Sequence, residues 1–133
     1  MSDTRWRILL TAVLAVHGLG HFFFLVPTLG LAEWGFAGRS RLLSGHVPDI
    51  IVKIAGSALW LLAIAGFVAA AIGLWGQHEW WRGVVVASSA VSLLGLVLIA
   101  QASQPFLSAA VMDIAMLVAL ALLHWPSPKL VGA

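Results

Sequence analysis

Four apolar stretches alternate with polar breaks along this chain, and their lengths set the first expectation. The stretches run from about Ile8 to Leu29, Ile50 to Trp75, Gly83 to Ala100 and Pro105 to Trp125. A hydrocarbon core about 30 Å thick takes about 20 helical residues to cross. The pattern therefore predicts four transmembrane helices. They are joined by one long connection, residues 30–49, and two short ones, 76–82 and 101–104. Short connections make antiparallel neighbours, so the expected fold is all-α, an integral membrane four-helix bundle forming a single domain over residues 1–133.

Start and stop signals fit those bounds. Arg5 and Arg7 precede the first span and Pro27 loosens its far end. Pro48 and Asp49 open the second span, where a first turn tolerates proline and favours an acidic residue. Lys53 lies one turn inside, close enough to snorkel. Gly66, Ala69, Ala70 and Gly73 give that span small residues at three- and four-residue spacing, a pattern that lets helix backbones approach closely. A cleaved leader ending near Gly30-Leu31-Ala32 is the rival reading of the first span. Two histidines inside the apolar run argue against it.

Composition agrees with the spans. The chain is 62% hydrophobic and 9% charged, with a mean hydropathy of +1.04, whereas soluble domains carry about 25% charged residues. The net charge of +2 comes from basic residues at span ends, which form no nucleic-acid-binding patch. The absence of cysteine excludes disulfides, iron–sulfur clusters and thiolate-bound zinc. Trp6, Trp34, Trp75, Trp80, Trp81 and Trp125 fall near span ends, as an aromatic belt does. Four spans put both termini on one side. Arg5, Arg7, Arg82 and Lys129 share that side against Arg39, Arg41 and Lys53, so the positive-inside rule places both termini in the cytoplasm.

Candidate chemistry centres on Ala15-Val16-His17-Gly18-Leu19-Gly20-His21-Phe22-Phe23-Phe24. Histidines four residues apart share one helix face. His17 lies near the middle of the first span, and His21 about 6 Å further along. The fourth span runs the opposite way, which puts Asp113 at nearly the same depth. Ionisable groups at that depth are costly without partners and mark candidate sites. His17, His21 and Asp113 are the expected catalytic or binding set. His46, Asp49, Lys53, Gln101 and Gln104 form a polar group at the outer mouth, expected to contact a substrate. Ser88, Ser89 and Ser92 are read as packing residues, and His78, Glu79 and His124 as span-end polarity.

This set fits hydrogen bonding or acid–base work on a lipophilic molecule such as a quinone. It also has ligand types for a single zinc, iron or copper ion, held by His17 and His21. Bis-histidine haem is disfavoured, because His17 and His21 share one helix face and His124 lies near the cytoplasmic end of the fourth span. Whether the chain is an enzyme is left open. Two further readings stand: a non-catalytic accessory subunit of a larger membrane complex, docking through its glycine- and alanine-rich faces, and a small dimeric transporter coupled through Asp113. The expected partners are membrane lipids, a lipophilic small molecule, and either further copies of the chain or a larger complex.

The opening Arg7-Ile8-Leu9-Leu10, then His17-Gly18, a second polar residue and a phenylalanine run, resembles the first helix of the DoxX-like family. The four-span layout with a long first connection is similar too. That resemblance implies a small bacterial cytoplasmic-membrane protein with a four-helix plan, in a family where some members are linked to quinol or thiosulfate oxidation. Family members often carry lysine after the His-Gly pair, where this chain has His21.

Overall fold

The computed structural model describes residues 3–34, 40, 42–99 and 104–132. The described residues form helices joined by turns, with no strand among them: α1 (Asp3–Gly20), α2 (Phe22–Thr28), α3 (Asp49–Trp75), α4 (Trp81–Leu98), α5 (Gln104–Leu117) with a π-helical turn at Val118–Leu122, and a short α6 (Pro128–Val131). The expected helical bundle is the observed fold.

The elements depart from the expected spans in instructive ways. The first span begins five residues earlier than expected and is broken into α1 and α2 at His21. There the amide of His21 bonds to Gly18 O three residues back, instead of the usual carbonyl four back. Together α1 and α2, α3 and α4 are each long and apolar enough to cross a membrane. The fourth apolar helix, Phe106–Leu122, is shorter than expected. The chain turns out of it through the π-helical turn and His124, whose φ is 52°. α3 ends with the paired bonds Gln77 N to Leu74 O and His78 N to Gly73 O. This is a Schellman closure, with Gln77 at φ 59° in the left-handed position that glycine usually takes.

α3 is the hub. It packs against α1, α2 and α4, while α5 joins the bundle mainly through α4, and α1 and α5 scarcely touch. The α3–α4 seam is close because glycine removes the side chains that would hold it open. A Cβ added at Gly95 would lie 2.8 Å from the Trp60 ring, and one at Gly66 would lie 2.0 Å from Ser88 Oγ. Gly73 likewise faces the Trp80 ring. Gly66 and Gly73 are thus used inside the chain, not held free for a docking partner.

Apolar burial splits into two cores. One gathers Leu14, Phe67, Ala70, Leu74, Trp81, Val85 and Met116 toward the end bearing the N-terminus. The other gathers Phe24, Leu25, Val52, Trp60, Ile64, Leu96 and Ile99 toward the opposite end. Trp81, expected in the interface belt, is 2% exposed and belongs to the first core. Its neighbour Trp80 is exposed, as are Trp34, Trp75 and Trp125. Trp34 is tied back to α2 by its indole N–H, which donates to Phe23 O at 2.8 Å.

Polarity is inverted relative to a soluble protein. Val16 on α1, Ile54 and Ile72 on α3, Leu94 and Val97 on α4, and Leu107, Val111 and Ile114 on α5 each leave half or more of their surface uncovered. His21, Ser88, Ser89, Ser92 and Asp113 are buried. Apolar surface facing outward on every long helix is what lipid solvates and water does not.

Candidate functional site

Between the two cores lies a polar cluster drawn from three helices. α1 supplies His17, the tightened turn after it supplies His21, α4 supplies Ser92 and α5 supplies Asp113. Asp113 is fully buried. Its Oδ1 lies 2.8 Å from His17 Nε2, and its Oδ2 accepts from Ser92 Oγ at 2.5 Å. Ser92 Oγ is also 2.6 Å from His21 Nε2, and His21 Nδ1 donates to the His17 carbonyl at 2.9 Å.

The local backbone explains that last bond. Because the His21 amide turns to Gly18 O, the His17 carbonyl loses its ordinary helical donor. The imidazole of His21 takes the place of that donor. Gly18 lets the whole face approach α3, since a Cβ there would sit 2.7 Å from Phe67 Cβ. Phe67 then walls the site: its ring centroid lies 4.7 Å from that of His17, edge on, and 5.6 Å from that of His21, stacked. Trp60 closes the far side of His21, with its own indole N–H donating to Thr28 Oγ1 at 3.0 Å. α3, the most extensively packed helix, contributes only aromatic walls here.

The gap between α1 and α5 is a cleft of about 660 Å³. Val13, Val16, Gly20 and Phe23 line one side, Ala109 and Met112 the other, with His17 and His21 in its wall. A void of this size is within the range that holds small ligands. The His17–Asp113 bond bridges the two helices across this cleft. A smaller apolar void of about 210 Å³ continues the seam past Val13 and Met112 toward Trp81 and Trp125.

Thus the structure brings His17, His21 and Asp113 into one hydrogen-bonded group. Of the expected outer group, the three members whose side chains are described lie away from it. His46 is exposed, its Nδ1 3.3 Å from Ser44 O. Asp49 and Lys53 are exposed at the start of α3. None of these three is among the residues lining the cleft. Gln101 lies outside the described residues, and Gln104 is described only as the first residue of α5.

The residue that sequence reasoning missed is Ser92, read as a packing residue. Its signal was available, because Ser92 falls at the midpoint of the third span and so at the depth of His17 and Asp113. The other two serines stay out of the cluster: Ser88 Oγ donates to Val84 O in its own helix, and Ser89 Oγ has no partner among the described residues.

One ring nitrogen each from His17 and His21 and a carboxylate oxygen of Asp113 come within 4.8 Å of one another, close enough to ligate one ion. The Nε2 atoms and the carboxylate oxygens already bond within the cluster. Both carboxylate oxygens and both Nε2 atoms are engaged, so an ion would have to displace internal hydrogen bonds. The chain matches no family profile, no curated protein and no solved structure.

Proposed function

We propose that this chain is a small bundle of the bacterial cytoplasmic membrane, with both termini in the cytoplasm, that takes a lipophilic molecule from the bilayer. The molecule enters the cleft between α1 and α5 and sets its polar head against His17. A quinone-type head group, with redox or acid–base conversion, fits the resemblance of the first helix to DoxX-like proteins. The observation that carries this reading is the meeting of an apolar cleft of about 660 Å³ with a buried His–Ser–Asp network between apolar helices. Apolar lining supplies affinity for a tail, and a few converging polar atoms supply orientation.

A single metal ion is the second reading, favoured by the 4.8 Å clustering of donor atoms. His17 and His21 would hold it with Asp113, and it would supply Lewis-acid or redox chemistry.

One experiment separates these. Protein purified in mild detergent, analysed by native mass spectrometry, elemental analysis and lipid extraction, is expected to carry a stoichiometric lipophile. That lipophile is expected to vanish in a folded His17→Ala variant. A stoichiometric metal would install the second reading, and protein bare of both, with the variant unchanged, would defeat the two together.

A further inference from the structure

Four contacts close the polar network: His21 Nδ1 to the His17 carbonyl, His21 Nε2 to Ser92 Oγ, Ser92 Oγ to Asp113 Oδ2, and Asp113 Oδ1 to His17 Nε2. Their lengths of 2.9, 2.6, 2.5 and 2.8 Å each require one proton between the paired atoms. A carbonyl only accepts, so the first proton sits on His21 Nδ1. Two neutral imidazoles, one hydroxyl and an ionised carboxylate bring three protons to four contacts and leave a net negative charge. One more proton completes every contact and makes the group neutral. At this depth neutrality is strongly favoured.

Only two arrangements are both neutral and complete. In one, His21 is an imidazolium that donates to Ser92, and Ser92 donates to ionised Asp113. In the other, protonated Asp113 donates from Oδ2 to Ser92, and Ser92 donates to a neutral His21. They interconvert when two protons shift along Oδ2, Oγ and Nε2, with none gained or lost. In both, Asp113 Oδ1 accepts from His17 Nε2–H. His17 is therefore neutral, and its Nδ1 carries a lone pair. Nδ1 has no hydrogen-bond partner among the described residues, and the His17 ring lines the cleft.

We propose that His17 Nδ1 is a hydrogen-bond acceptor that selects hydroxyl-bearing lipophiles, such as phenols, hydroquinones and long-chain alcohols, over the corresponding ethers, ketones and quinones. This rests on the ligand-uptake reading above. For a quinone-type ligand it means that the reduced form is the one held.

The test uses the full-length protein in nanodiscs and three redox-inert probes: 4-decylphenol, 4-decylanisole and decylbenzene. The anisole keeps the oxygen but removes its proton. Titration by native mass spectrometry should show the phenol binding about tenfold more tightly than the anisole, the difference made by one hydrogen bond. The preference should disappear in His17→Phe. It should survive in Asp113→Asn, because an amide donating to Ser92 and accepting from His17 Nε2–H reproduces the second arrangement. If phenol and anisole bind equally, or anisole binds better, the acceptor assignment is overturned while uptake by the cleft stands. If none of the three binds, the uptake reading falls and takes this proposal with it.

Discussion

The two seams of the bundle are closed by opposite means. Between α3 and α4, glycines remove side chains until ring and backbone touch, with Gly95 under Trp60 and Gly66 under Ser88. Between α1 and α5 the side chains leave a cleft, and a buried carboxylate crosses it to an imidazole. Dispersion contacts weaken within an ångström of separation. A seam that relies on them must be tight everywhere, whereas a polar clasp can hold one point and leave the rest open. The first device suits a scaffold. The second suits an entrance.

Substitutions can break each seam in its own way. Gly95→Val drives a branched side chain into a buried indole that has nowhere to turn. It should cost about 3 kcal/mol or more, read as a lowered unfolding temperature in detergent, because overpacking forces backbone shifts. Little change would mean that the α3–α4 seam is looser than described. Asp113→Leu should cost about 2–3 kcal/mol by leaving His17 and Ser92 without their acceptor, and Asp113→Asn much less. Equal losses from the two would show that side-chain volume matters there and the hydrogen bonds do not.

The sharpest contrast lies two residues apart on α1. Gly18→Ala meets Phe67 Cβ at 2.7 Å and should lower stability by about 1–3 kcal/mol. Gly20 borders the cleft, and a Cβ there meets nothing within 4 Å. Gly20→Ala should therefore be neutral or stabilising by up to about 1 kcal/mol, the ordinary helix-propensity gain. Parallel thermal melts of the two variants decide it, and similar losses in both would close the cleft as a feature of the folded protein.

Much of this architecture was legible in the sequence because lipid imposes strict lengths. Apolar runs of about 20 residues leave few alternatives to spanning helices, and antiparallel depth arithmetic placed Asp113 beside His17. Depth says nothing about azimuth. The sequence could not say that α1 and α5 stand apart, nor that Ser92 turns inward while Ser88 bonds its own helix. The outer polar group was grouped by depth alone, and the structure leaves His46, Asp49 and Lys53 exposed, away from the cleft lining. The break at His21 was hidden for a different reason. It is set by one backbone bond, His21 N to Gly18 O, and no hydrophobic period records a single carbonyl.

The long separation of His17 and Asp113, 96 residues apart in the chain, bears on how the protein is made. Membrane helices enter the bilayer in order as the ribosome delivers them. α1 arrives with two imidazoles that have no partner in lipid, α4 brings a hydroxyl, and the carboxylate that completes the set comes with the last long helix. A chain stalled before α5 would carry His17 and Ser92 without the carboxylate that partners them in the finished bundle. His17, His21 and Ser92 therefore lack the group that completes their network until the last long helix is in place.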